Sequence, residues 1–201
     1  MPQPEKSAES LYEQARWYLQ GDGVASSYEK GTLYLKGAAD LGHAKAQYNL
    51  GICLHQGTGI DQSYEEAYRY FTLAAQQQHP RAYYMLGCYF ILGFLFSPSE
   101  EHAAHYFRLA AEAGVTDAQY DLGVLLLKES AEEAVRYFKL AAEQGNADAQ
   151  YNLGVCYYQE IGCAVSHEEA IRYLELAVQQ KQPKAAAALE IVMMAAYRPT
   201  R

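Results

Sequence analysis

Basic residues are scarce in this sequence: 16 Lys and Arg stand against 24 Asp and Glu, a formal net charge of −8 over 201 residues. Nucleic-acid binders draw much of their affinity from a basic stripe that neutralises phosphates. No cluster of Lys and Arg is present, which excludes phosphate-rich partners. Long apolar runs are missing too. The longest, Cys88 to Phe96, has nine residues, well short of the roughly 18 that a membrane-spanning helix needs. The opening MPQPEKSAES lacks the basic-then-apolar order of a secretory signal. Cysteine is sparse: Cys53, Cys88, Cys156 and Cys163 are too few and too unevenly spaced for a disulfide framework. The expectation is a cytoplasmic protein with reduced thiols, secreted or periplasmic only if a signal peptide has been removed.

Catalytic signatures are absent as well. The chain has no G-x-x-x-x-G-K, no G-x-S-x-G and no H-E-x-x-H. GDG at 21–23 and GTG at 57–59 look like phosphate loops, but no strand precedes either and both fall between helical segments, so they read as turns. His102 and His105 share a helix face beside Glu101, yet nothing nearby supplies a third ligand at metal-site spacing. Cys156 and Cys163 lie seven residues apart across a helix end and turn and read as an incidental pair, not a redox switch. With no convergent titratable groups, the expectation is no enzyme, no cofactor and no metal.

What is present is repetition. AQYNLG occurs at 46–51 and again at 149–154, and AQYDLG at 118–123. Gly51, Gly87, Gly123 and Gly154 follow one another in steps of 36, 36 and 31 residues, and a step of 36 back from Gly51 reaches Ala15. Gly31, Ala67, Ala103, Ala134 and Ala170 keep the same phase, and so do Tyr34, Tyr70, Tyr106, Tyr137 and Tyr173. A catalytic motif is needed once, whereas a structural unit recurs.

Each copy reads as two helices. Ala46, Leu50, Cys53 and Leu54 are spaced by threes and fours as on an amphipathic helix, which GTG then ends. A second helix starts near Ser63, with Glu65 and Glu66 suiting its dipole, and Ala67, Tyr70, Phe71 and Ala74 make one face. Small residues let helices approach closely and large ones fill between layers. One pair cannot bury its apolar face alone, so copies must stack. PKAAAALEIVMMAAY at 183–197 starts like a sixth first helix but carries Glu190 at the glycine mark, and reads as a capping helix. The expected division is a tail at 1–7, pairs at about 8–43, 44–79, 80–115, 116–146 and 147–182, the cap at 183–197 and a tail at 198–201.

The pattern A-x-x-x-L-G…G-x-G-(I/V)…A-x-x-Y-(F/L)-x-x-A-A-x-x-G, covering about 8–190, resembles the Sel-one-like repeat, a relative of the tetratricopeptide repeat. The resemblance implies an all-α, right-handed superhelix of about five helix pairs plus the cap. Its members are generally adaptors that hold partner proteins in a concave groove, and are not enzymes.

By the same analogy first helices line the groove, which places Lys45, Asn49, Ile52, Arg81, Met85, Cys88, Asp121, Val124, Asn152 and Val155 on or near the inner wall. Asparagines there suit the backbone of an extended peptide, and Lys45 and Arg81 suit a carboxylate. The same row also reads as solvated positions that tolerate polarity. Of 19 tyrosines, ten fill two repeat rows and read as structural, while the off-row Tyr83, Tyr89, Tyr157 and Tyr158 are freer for recognition. The turn HQGTGIDQS at 55–63 becomes ILGFLFSPS at 91–99, with Phe94 for Thr58 and Leu95 for Gly59. Phe94, Leu95 and Phe96 either fold back on a neighbouring helix end, with room left by the shorter turn of the next copy, or form an exposed apolar patch.

The expected function is a scaffold or adaptor that holds a partner peptide or helix. The alternatives are an immunity-type protein neutralising a basic effector, and a homo-oligomer assembled through 91–96. The expected partner is another protein, with no nucleic acid and no membrane span.

Overall fold

The structure, a computed structural model, describes residues 7–21 and 25–196. Ser7 apart, the expected tails lie outside the described residues, as do Tyr197 of the cap and two residues of the GDG turn. Among the described residues there are eleven α-helices and no strand. Ten form pairs: α1 (Ala8–Gln20) and α2 (Tyr28–Asp40), α3 (Ala44–Gln56) and α4 (Tyr64–Gln76), α5 (Pro80–Leu92) and α6 (Glu100–Glu112), α7 (Thr116–Leu126) and α8 (Ala131–Glu143), and α9 (Ala147–Gln159) and α10 (His167–Gln179). The eleventh, α11 (Ala185–Ala196), stands alone at the end. The chain divides into two compact units, one up to Tyr106 and one from Phe107. In the first unit α1 to α4 each pack on the next helix in the chain; in the second, α7 to α10 do the same.

The glycine mark is a close-approach position. A Cβ on Gly51 would stand 2.6 Å from the Phe71 ring, and one on Gly123 or Gly154 would stand 2.7 Å from Phe138 or Leu174. In the first pair the glycine has changed helices: α1 carries Ala15, and α2 carries Gly31, whose Cβ would meet Leu19 at 2.6 Å. One glycine per crossing is enough, on either partner, because what the crossing requires is the missing Cβ and not the residue's freedom of φ.

The glutamine of AQYNLG, which periodicity leaves unexplained, ties successive pairs together. Gln47 is buried and donates from Nε2 to the Ala39 carbonyl at the end of α2 (3.2 Å), while Gln77 donates to Gln47 Oε1 (2.7 Å). Gln119 with Gln144, and Gln150 with Gln180, repeat the arrangement on the carbonyls of Ala111 and Ala142. Each buried glutamine gives a helix-end carbonyl, which already accepts the backbone N–H of Gly42, Gly114 or Gly145, a second donor, a bond worth about 0.5–1.5 kcal/mol. The second helices begin alike: Ser27, Ser63 and Ser166 accept the backbone N–H three residues on.

Candidate functional site

The first helices carry two kinds of row. Ala46, Ala82, Ala118 and Ala149 are completely buried and Leu50, Leu86, Leu122 and Leu153 nearly so. None of the ten groove candidates is buried. In the first unit Lys45 and Arg81 are exposed, and Asn49, Ile52, Met85 and Cys88 are partly so. In the second unit Val124 is exposed, and Asp121, Asn152 and Val155 are partly so. Asn49 Nδ2 donates to the Tyr12 hydroxyl at 3.3 Å, so Asn49 also links neighbouring first helices. Val155 lines a cavity of about 180 Å³ in the second unit with Tyr151, Tyr158, Ala188 and Ile191. α11 opens this cavity by placing Ala188 where α9 has Asn152.

At the starts of α3 and α5 the same ring pair appears twice in different electrostatic settings. Tyr12 stacks on His43 at 4.4 Å and Tyr48 on His79 at 4.6 Å. Both nitrogens of His43 are engaged: Nδ1 accepts the Ala46 N–H at 3.1 Å and Nε2 meets Glu9 at 3.0 Å. His79 gives α5 no side-chain cap, and its buried Nδ1 has no hydrogen-bond partner. Burial, then Arg81 and Lys45, hold the His79 imidazole below its ordinary pKa.

The 91–99 turn packs backwards, onto the pair that precedes it. Phe94 lies 5.1 Å from the His55 ring and 5.0 Å from Tyr64, and Phe96 lies 5.2 Å from both Tyr68 and Phe90. Phe94 and Leu95 are partly buried against the core of the first unit, while Phe96 stays 42 % exposed. The cause is Leu95. At the matching position Gly59 brings the loop backbone against the start of α2, where a Cβ would meet the Tyr28 carbonyl at 2.4 Å. A leucine cannot make that approach, so the loop stands off and rings fill the gap.

Tyr89 corrects the expectation of a free recognition residue. It is fully buried, and its hydroxyl meets His55 Nδ1 at 3.0 Å. Burial raises the Tyr89 pKa and lowers that of His55. Tyr89 occupies the position of Cys53 and Cys156, on the inward face of the first helices. Tyr83 packs partly against the same core. Tyr157 stacks on Tyr173 at 6.0 Å, and Tyr158 meets His167 edge-on.

His102 stacks on Phe90 and His105 lies edge-on to Tyr106. No group of three or more His, Cys, Asp or Glu among the described residues is placed to hold a metal ion. Cys156 and Cys163 are free thiols. Burial, with Cys163 nearby, pushes Cys156 up to about 11, and burial raises Cys163, so neither is an activated thiolate. No helix of the described residues is long and apolar enough to cross a membrane.

Comparison with curated protein sequences gives no significant match. Among solved structures, a Sel1 repeat protein from Oxalobacter formigenes is 26% identical with a TM-score of 0.83, the match covering 100% of this chain and 82% of that one. Protein c5321, a protective antigen of uropathogenic Escherichia coli, is 21% identical with a TM-score of 0.61 over 94% of this chain and 50% of that one. Immunity protein Pa5087 from Pseudomonas aeruginosa is 20% identical with a TM-score of 0.56 over 97% of this chain and 80% of that one. The last two likenesses concern the fold alone. The Sel1 repeat profile matches residues 8–43, 44–79, 80–115, 116–146 and 147–181. With five matched repeats that together span residues 8–181, this chain belongs to the Sel1 repeat family.

Proposed function

We propose that the chain is a non-enzymatic scaffold or adaptor whose first helices hold a peptide or helix of a partner protein. One observation carries this reading: all ten first-helix candidates stay at least partly accessible, while the alanine and leucine rows beside them on the same helices are buried. Ile52 and Met85 also pack partly against the core of the first unit; the exposed Lys45, Arg81 and Val124 are the positions that the core does not dictate. In the first unit the contact surface would be Lys45, Asn49, Ile52, Arg81, Met85 and Cys88; in the second, Asp121, Val124, Asn152 and Val155. Asn49 spends its amide N–H on Tyr12 and would offer Oδ1 to a peptide N–H.

The test is capture from native lysate by wild type beside an Asn49→Ala, Asn152→Ala variant of matched thermal midpoint, with mass spectrometry of what is retained. A partner held by wild type and lost by the variant is the expected result. The same partner recovered by both would place binding elsewhere. Neutralisation of a basic effector is the second reading, favoured by the net charge of −8; immunity protein Pa5087 lends it a shared fold and nothing more.

A further inference from the structure

The charges that open α3 and α5 run against the helices that carry them. The second residues of the five first helices are Glu9, Lys45, Arg81, Asp117 and Asp148. An acid suits the positive end of a helix dipole and a cation does not, yet α3 and α5 have no acidic residue in their first turns.

The acids at this position have work in the joints between repeats. Glu9 reaches His43 Nε2 at 3.0 Å, and Asp148 accepts from Gln182, which matches His43 in the repeat frame, at 3.2 Å. The joint between α3 and α5 keeps the ring stack of Tyr48 on His79 but sets Lys45 where α1 has Glu9. The charges of Arg81 and Lys45 both act on the same histidine, and that of Arg81 acts on Tyr48 as well. Neither Lys45 nor Arg81 belongs to an ion pair among the described residues. Two exposed cations and an imidazole thus converge where the preceding joint carries its own carboxylate.

We propose that Lys45, His79 and Arg81 form a docking site for an Asp or Glu side chain in an acidic segment of a partner protein. The incoming carboxylate takes the place beside His79 that Glu9 takes beside His43, flanked by the Lys45 ammonium and the Arg81 guanidinium. The proposal rests on the reading of the first helices as the partner surface and names the chemistry of that partner. It also assigns a role to His79, which the groove row does not include.

The test is fluorescence polarisation at low salt, where screening is weak, with a labelled, C-terminally amidated Glu-Ser peptide. The Gln-Ser counterpart is run amidated and with a free C-terminus. Wild type should bind the Glu-Ser peptide and neither Gln-Ser form. Lys45→Glu and Arg81→Glu should each weaken binding by about tenfold. Lys36→Glu, an exposed lysine on the second helix α2, should leave it unchanged. Absence of binding, equal binding by the Lys45 and Arg81 variants, or an equal loss with Lys36→Glu would each overturn the site. Binding of the free-terminus Gln-Ser peptide alone would overturn the assignment to side chains in favour of chain termini. If the peptide fails while partner capture still depends on Asn49 and Asn152, the carboxylate site falls and the scaffold reading stands. Failure of both removes the scaffold reading itself.

Discussion

Residues 44–79 and the repeat that starts at Pro80 show two ways of building the same joint. The first uses polar groups against its own backbone: Gln47 and Gln77 close a helix end, and His43 caps α3 while Glu9 holds its ring. Its loop lies backbone to backbone on α2 through Gly59. The second has Tyr83 and Ala113 where the glutamines stand, Leu95 for Gly59, and His79 with a buried nitrogen unpartnered. At the other end of α5, rings from Tyr64, Tyr68, Tyr89, Phe90, Phe94 and Phe96 fill the turn where the regular repeat has the Gly59 approach and the Thr32–Thr58 hydrogen bond. The regular repeat is explained by the fold down to its polar side chains. In the irregular one, the aromatic residues are explained by packing and the cations are not.

Six substitutions sharpen this contrast: four in descending order of expected effect, with Phe96→Ser and Tyr83→Gln as their controls. Gly51→Ala drives a methyl into Phe71 and should cost about 2–3 kcal/mol in urea unfolding, since neither helix can retreat without losing its neighbours. Phe94→Ala should cost about 2 kcal/mol, whereas Phe96→Ser, at an exposed ring, should stay within about 0.5 kcal/mol. Neither should change the mass measured by light scattering; a mass that falls with Phe96→Ser would revive assembly through the turn. Gln47→Ala removes one of two hydrogen bonds from the Ala39 carbonyl and from the Gln77 amide, which both keep a bond to Gly42, and should cost about 1 kcal/mol. Introducing Tyr83→Gln should give no gain, because Ala113 offers no amide to complete the pair. Gln78→Gly should act in the opposite direction, by a small amount. Gln78 holds φ 60°, the left-handed conformation that Gly42, Gly114 and Gly145 hold in the same row, so glycine should raise the thermal midpoint by the equivalent of about 0.5 kcal/mol.

The helix pairs were legible because their signal is steric and periodic: Gly51, Gly123 and Gly154 sit at close helix crossings, and Gly87 keeps their spacing in the sequence. The outward rows followed from the same frame, since a helix that buries Ala46 and Leu50 turns Lys45 and Asn49 towards the other side. What stayed hidden depends on which residues meet across a joint. The glutamine pairs join positions about thirty apart, and nothing local marks them as partners. Tyr89 looked free because it lies off the tyrosine rows, although it shares the inward row of Cys53. The direction of the 91–99 turn hung on one lost backbone contact, that of Gly59 with α2, which no periodicity reports. His79 was passed over because its meaning lies in a contrast with His43 that only the geometry makes visible.

The central claim is that the outward positions of the first helices are chosen for a partner and not for the fold. It is tested most directly by the unfolding free energy of a Lys45→Glu, Arg81→Glu double variant. An acid at each helix start should gain from the dipole, and the carboxylate introduced by Lys45→Glu should hold His79 as Glu9 holds His43. The double variant should therefore be more stable than wild type, by about 0.5–2 kcal/mol in total. A variant less stable than wild type would mean that Lys45 and Arg81 serve the fold, and would contradict the account.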